Sequence, residues 1–212
     1  SPFASPYTSG SADLSQEIPL ELVENQTLEI PLDPRIFTAA TLEVLKSGKF
    51  DRRHARNIAG FLTGCTRLLD LDCGIGFVAL RARAANPELQ VTIHDERPSL
   101  LTLSRRIAAL NFPDAGGIAW SQATLNPDGL WSGLHRLLAE TRPEVLRLSG
   151  PLLPPEAFNA AVLEGIRRIL IPFLDPSEVA AARTKLAPAL AALGFTEDMN
   201  GEPNGTVYLR RQ

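Results

Sequence analysis

The sequence predicts an α/β domain: a mostly parallel sheet with helices on both faces, closed by an antiparallel hairpin. Three observations carry that expectation. The chain has 212 residues, 44% of them hydrophobic, which suits one core of ordinary size, whereas two small domains would each have a thin one. From residue 51 onward, short apolar runs alternate with segments whose apolar residues recur every three or four positions, the rhythm of parallel strands joined by helices. The chain closes with two strand-like runs, Phe195 to Met199 and Val207 to Arg211, joined through Gly201 to Gly205.

The elements follow in order. Residues 1–17, rich in Ser, Pro, Ala and Gly, read as a flexible leader. Residues 18–50 read as a cap segment in which Leu28, Ile30 and Leu32 alternate as in a strand or hairpin. The main domain spans 51–212. Ala55, Ile58, Ala59 and Leu62 mark a first helix, and Arg67 to Leu71 a strand. The Gly-containing turn Cys73 to Gly76 leads into a helix through Ala85, followed by a strand at Gln90 to His94. Leu100, Leu103, Ile107 and Leu110 stripe the helix after it, and Ile118 to Gln122 is the third strand. Leu130, Leu134, Leu137 and Leu138 predict a helix, and Val145 to Leu148 a strand. A further helix is expected around Phe158, Val162, Ile166 and Ile169, leading into a strand that ends at Phe173. Val179, Leu186, Leu190 and Leu193 stripe the last helix, which Gly194 terminates.

Charge narrows the partners. Formal net charge is −3, so composition gives no reason to expect nucleic acid. Asp13, Glu17, Glu21, Glu24, Glu29 and Asp33 precede the first base, Arg35, so the first 34 residues carry −6 and the remainder +3. A solvated leader is the simple reading of that stretch, and a docking segment for a protein partner the sharper one. Cys65 and Cys73 cannot make a disulfide framework, which points to a reduced, cytoplasmic setting. No apolar run approaches the roughly 20 residues of a membrane span, and the N-terminal residues lack the pattern of a signal peptide. The start at Ser1 points to a processed or trimmed chain. Only Lys46, Lys49 and Lys185 are lysines among 21 bases, an arginine bias associated with GC-rich bacterial coding.

The chemistry concentrates at Leu69-Asp70-Leu71-Asp72-Cys73-Gly74-Ile75-Gly76-Phe77. In open α/β sheets, ligands bind beyond the carboxyl ends of strands where the strand order reverses. Gly74 and Gly76 let backbone approach a ligand without interference from a Cβ. Asp95 closes the next strand 19 residues after Gly76, where a carboxylate can accept from both hydroxyls of a ribose. Gly74 to Ala79 also satisfies the dinucleotide pattern G-x-G-x-x-[G/A], which makes a nicotinamide oxidoreductase a competing reading. Asp70 argues against it, because a carboxylate repels pyrophosphate and suits a ligand bearing an ammonium. S-adenosylmethionine carries an ammonium and a sulfonium, and its one carboxylate is compatible with a turn of free N–H groups.

These residues resemble the class I S-adenosylmethionine-dependent methyltransferases, in particular the FkbM-domain family, over about residues 46–211. Lys46-Ser47-Gly48-Lys49-Phe50-Asp51 is similar to the segment that opens that domain, and Leu69 to Phe77 resembles its motif I. Asp95 and the following Pro98 to Asn111 helix, Trp120-Ser121-Gln122-Ala123, and Arg142 to Leu148 fall in matching order. The resemblance implies a Rossmann-like, seven-stranded fold and cofactor contacts at Asp70, Asp72, Cys73, Gly74, Gly76, Asp95, Glu96, Gln122 and Ala123. It also implies methyl transfer, with a small-molecule or sugar hydroxyl as acceptor. Two positions depart from the family: Asp72 replaces a glycine, and the Asp-x-Glu-Gly motif is missing after Leu148, where Ser149-Gly150-Pro151 follows. A non-catalytic interaction module on the same fold is therefore the main alternative.

Other residues carry weaker signals. His54, His94 and His135 lack metal-ligand spacing, and no metal is expected. His94, beside Asp95, is a candidate general base, though a polar strand-end residue is the plainer reading. Arg52, Arg53 and Arg56 read as a solvated helix face. Cys73 as a nucleophile needs a neighbour that lowers its pKa, and the sequence shows none. Trp120 and Trp131 suit either a pocket wall or core packing.

Overall fold

The computed structural model describes residues 5–172, 175–198 and, as backbone, 205–210. Its cap is a hairpin of β1 (Leu22–Asn25) and β2 (Leu28–Pro31), followed by α1 (Ala39–Lys46), whose N-terminus Thr38 caps by accepting from the Thr41 N–H at 3.2 Å. Helix α2 (Arg52–Phe61) leads into five parallel strands. These are β3 (Arg67–Leu71), β4 (Gln90–His94), β5 (Ile118–Ser121), β6 (Val145–Leu148) and β7 (Arg168–Pro172). Between them run α3 (Phe77–Ala85), α4 (Pro98–Asn111) and α5 (Ser132–Thr141), and after β7 come α6 (Pro176–Lys185) and α7 (Ala187–Ala192). The spatial order is β5-β4-β3-β6-β7. Next, β9 (Gly205–Arg210) lies antiparallel against β7, and β8 (Phe195–Glu197) against β9. The order reverses at β3, which puts its carboxyl end at the crevice where ligands of such sheets bind.

Strand periodicity divides the core in two. Leu68, Val91, Ile93, Val145 and Leu170 join one apolar cluster with residues of α2, α3 and α4. Leu69, Leu71, Leu146, Leu148, Ile169 and Ile171 join a second cluster with residues of α5, α6 and α7. Alternate residues of one strand feed opposite cores. Each buried Leu or Ile contributes about 1.5–3 kcal/mol relative to exposure.

Three helix expectations need correction. Leu130 is 74% exposed and lies outside α5, which starts at Ser132. The helix expected from Phe158 to Ile169 does not form. Pro154 and Pro155 supply no amide donors, a single 3-10 turn spans Pro155–Ala157, and Gly165 sits at φ 80°. Leu163 and Ile166 reach the second cluster through turns instead, and Ile169 belongs to β7. The last helix is two, because Pro188 cannot continue the hydrogen-bond ladder of α6 and opens α7. Phe173, Met199, Arg211 and the turn 201–204 lie outside the described residues. Among the described residues no helix is long and apolar enough to cross a membrane.

The leader, whose composition suggested flexibility, is bonded along its described length. Tyr7 forms a bridge to Phe37, the Thr8 N–H donates to the Ile36 carbonyl at 2.8 Å, and the Thr38 N–H to the Pro6 carbonyl at 3.1 Å. Further on, the Ser99 N–H donates to the Gly10 carbonyl at 3.3 Å and Arg35 Nη1 to the Gln16 carbonyl at 2.8 Å. Residues 5–16 therefore run from the cap across the first turn of α4.

Candidate functional site

After Leu71 the chain turns through Asp72, Cys73, Gly74 and Ile75 and enters α3 after Gly76. Asp72, Gly74 and Gly76 have φ of 52°, 64° and 70°. Glycine is required at 76, where a Cβ would lie 2.6 Å from Ile93 Cγ2, and at 74, where it would fall on the Tyr7 phenol. Aspartate is among the few residues that tolerate the left-handed region, at a cost of about 1 kcal/mol. The Asp72 N–H donates to His94 Nδ1 at 3.1 Å, and His94 Nε2 in turn donates to the Ala123 carbonyl at 2.8 Å. His94 is fully buried, with both ring nitrogens committed to backbone. It fastens the turn to the loop after β5, a task that leaves no nitrogen for the general-base role considered for it.

Asp70 and Arg147 are direct partners in the register of β3 and β6, on the face of the first cluster. Arg147 Nη1 donates to Asp70 Oδ2 at 2.9 Å and to Ser149 Oγ at 2.7 Å, and the Ser149 hydroxyl donates to Asp70. Burial pushes the Asp70 carboxyl upward, and Arg147 and Ser149 pull against it. The leading acid of the motif is thus spent on a strand-to-strand ion pair. Cys73, beside it, donates its thiol to the His94 carbonyl at 3.4 Å, and burial followed by the Asp70 charge pushes that thiol well above its ordinary range. This setting disfavours the thiolate that a nucleophile needs.

Asp95 is buried at the end of β4 and accepts four hydrogen bonds. They come from the Gly74 N–H (2.7 Å) and from the Arg97 N–H (2.9 Å), Nε (2.8 Å) and Nη2 (2.9 Å). Burial alone would raise this carboxyl; the Arg97 guanidinium and the backbone donors outweigh it and hold the group below its ordinary value. Above Arg97 lies Tyr7, its ring centroid 5.3 Å from the guanidinium carbon. The Tyr7 oxygen accepts from the Ile75 N–H at 3.1 Å. Tyr7, Arg97, Asp95 and the glycine turn form one closed set of contacts.

Next to this set opens a cleft of about 320 Å³, lined by Leu71, Asp72, Glu96, Trp131, Leu148 and residues 124–126 and 150–154. That volume is at the lower end of small-molecule sites. Its walls are apolar, with Asp72 and exposed Glu96 as its carboxylates. Burial and then the Asp95 charge raise the Asp72 carboxyl, and Arg97 Nη2, 3.9 Å away, opposes them. Gln122 is exposed and Ala123 is held by His94, whereas Thr124, Leu125 and Asn126 reach the cleft.

The structure thus brings Asp72, Cys73, Gly74, Gly76, Asp95 and Glu96 to one crevice and turns Asp70 inward. Tyr7, Arg97, Arg147 and Ser149 were not anticipated from the sequence. An arginine in the apolar strand Val-Leu-Arg-Leu and the Asp-x-Arg spacing after β4 were the available signals. Asp95 and the N–H groups of the turn are of the kinds that would hold S-adenosylmethionine, but in this arrangement the chain's own Tyr7 and Arg97 occupy them. The hydrogen-bonding positions of Asp95 that a ribose would use are taken, and the Ile75 N–H that a carboxylate would use is held by Tyr7.

No protein-family model and no curated protein matches the sequence. Solved structures do. An O-methyltransferase family protein from Burkholderia thailandensis is 14% identical with a TM-score of 0.58, over 85% of this chain and 60% of its own. Human N-acetylserotonin methyltransferase, in complex with S-adenosylmethionine, is 14% identical with a TM-score of 0.51, over 80% of this chain and 55% of its own. Magnesium protoporphyrin IX methyltransferase from Synechocystis PCC 6803, with S-adenosylmethionine bound, is 14% identical with a TM-score of 0.54, over 79% of this chain and 84% of its own. The chain spans less than two thirds of the length of the first two. The likeness is one of fold, and the fold is that of the class I S-adenosylmethionine-dependent methyltransferases.

Proposed function

We propose that the chain is an S-adenosylmethionine-dependent methyltransferase of FkbM type, acting on the hydroxyl of a small molecule or sugar. In this reading its sheet is seven-stranded and covered by helices on both faces. The observation that carries the reading is the meeting of the glycine turn and Asp95 at the order reversal of the sheet, with the Gly74 N–H 2.7 Å from Asp95 Oδ2. Asp72, Cys73, Gly74, Gly76, Asp95 and Glu96 are the candidate cofactor contacts. The apolar cleft beside them, with Trp131 in its wall, suits a planar or apolar acceptor. Calorimetric titration of the full chain with S-adenosylhomocysteine, and separately with NADH, tests the assignment. Saturable binding of the first alone is expected; binding of NADH alone would sink it.

A second reading, a non-catalytic module on the same fold, is favoured by one feature. Asp70 and Asp95 are both spent on arginines of the chain itself, and the segment after β6, Ser149-Gly150-Pro151, brings no carboxylate to the cleft. Steady formation of S-adenosylhomocysteine from S-adenosylmethionine with a hydroxylated aromatic acceptor would exclude it.

A further inference from the structure

We propose that residues 5–16 are a strap that occupies the cofactor turn in place of the cofactor, so that binding requires the strap to be displaced. The inference rests on the S-adenosylmethionine reading above and adds a built-in competitor to it.

Two ends hold the strap. At one end the phenol end of Tyr7 lies against Gly74, its oxygen accepts from the Ile75 N–H at 3.1 Å, and its face lies over the Arg97 guanidinium. Gly10 follows so closely that a Cβ there would fall on the Arg97 side chain, and its carbonyl accepts from the Ser99 N–H. Beside Tyr7 the Thr8 hydroxyl donates to the Arg35 carbonyl at 2.6 Å, and at the other end Arg35, aligned by Asp33, donates to the Gln16 carbonyl at 2.8 Å. Both anchoring arginines are themselves fixed by an aspartate two residues earlier. A chain that merely needed its leader tidied away would not have to seat an aromatic ring on the glycine that permits ligand approach.

The chemistry of the contacts matches what they replace. The phenol oxygen is an acceptor on an N–H that would otherwise receive a carboxylate. The Arg97 guanidinium fills the acceptor positions of Asp95 that two hydroxyls would use. Tyr7 shields that guanidinium, so releasing the ring exposes Arg97 and frees it to swing off Asp95. The apparent affinity for a ligand is its intrinsic affinity scaled by the fraction of chains with the strap open. For a strap open in about a tenth of chains or fewer, opening it permanently tightens binding about tenfold or more.

The experiment uses the full chain, its Tyr7→Ala and Tyr7→Phe variants, and Gly10→Ala, which keeps the tyrosine side chain but whose new Cβ would fall on Arg97 and so lift the strap from the turn. Each is titrated calorimetrically with S-adenosylhomocysteine, and amide hydrogen exchange of residues 5–16 is followed with and without it. Tyr7→Ala and Gly10→Ala should bind about tenfold tighter or better, Tyr7→Phe by a smaller factor, and the ligand should speed exchange across residues 5–16 in the unaltered chain. Unchanged or weaker binding by Tyr7→Ala and Gly10→Ala, with the ligand slowing exchange in the strap, would make residues 5–16 a wall of the pocket. That result overturns the strap and leaves the methyltransferase reading intact. Absence of binding by every form, including those whose Ile75 amide exchanges faster than in the unaltered chain, overturns both.

Discussion

Asp33-Pro34-Arg35 and Asp95-Glu96-Arg97 fold into the same chelate in two places. In each, the arginine N–H and Nε donate to Oδ1 of the aspartate and Nη2 donates to Oδ2. In each, the guanidinium holds the carboxyl below its ordinary value against the opposing effect of burial. The difference is the company they keep. The first sits in the cap and serves the leader alone, while the second also receives the Gly74 N–H and borders the cleft. The chelate is thus a local consequence of Asp-x-Arg spacing. What makes the second one matter is the glycine turn against which β4 delivers it.

Five substitutions probe the difference between the two chelates and the turn beside them. The longest-range pair sets the scale: Arg147→Ala leaves the buried Asp70 carboxylate without its cation and should cost about 3–5 kcal/mol, read by urea unfolding. A loss below that of either chelate would mean the strand pair is dispensable. Asp95→Ala should cost about 2–3 kcal/mol, because the Gly74 amide and Arg97 both lose their acceptor. Asp33→Ala should cost less, since among the described residues the only amide it accepts from is that of Arg35 within the chelate, with no counterpart to the Gly74 N–H. Equal losses would erase the distinction between the two sites.

Arg97→Ala is milder, about 1 kcal/mol at pH 7, because Asp95 keeps two backbone donors and the guanidinium is partly exposed. The sign of its pH dependence follows from the lowered carboxyl. The folded value lies below the unfolded one of about 3.9, so the contribution is complete above that pH and is lost as pH falls through the folded value. The gap between the two proteins should therefore close below about pH 4. A gap that widened in acid would reverse the assignment. The smallest effect belongs to Asp72→Gly, which relieves the φ of 52° and should stabilise the fold by less than about 1 kcal/mol. It should change S-adenosylhomocysteine affinity by less than tenfold, or about 1.4 kcal/mol. A gain of several hundredfold would mark Asp72 as a block in the pocket.

The strands and the helices α3 and α4 were legible because their patterns were both local and unambiguous. Gln90–His94 alternates polar and β-branched residues, Val145–Leu148 is short and apolar but for Arg147, and Pro98 opens α4 where proline is tolerated. The segment from Phe158 to Ile169 misled because apolar spacing of three and four also arises when turns bury alternate side chains. The prolines before it and Gly165 were the better guide. At the site, Gly74, Gly76 and Asp95 could be located because strand ends fix them. The partners of Asp70 and Asp95 could not, since pairing of Asp70 with Arg147 depends on strands 77 residues apart falling into register. Tyr7 was hidden by the low-complexity stretch around it. Composition reports the average tendency of a segment and says nothing about one aromatic residue within it.

The scarcity of aromatic residues has a practical consequence. The chain has two tyrosines and two tryptophans. Tyr7 rests on the glycine turn, Trp131 lines the cleft, and Trp120 is tied elsewhere, its indole N–H donating to Ser104 at 2.9 Å under Arg105. Fluorotyrosine incorporation would therefore give two fluorine resonances, one of them reporting whether the turn is covered. With Trp120 replaced by phenylalanine, the emission of Trp131 would report separately on whether the cleft is filled. The two halves of the crevice can be watched independently in one sample, before any acceptor molecule is known.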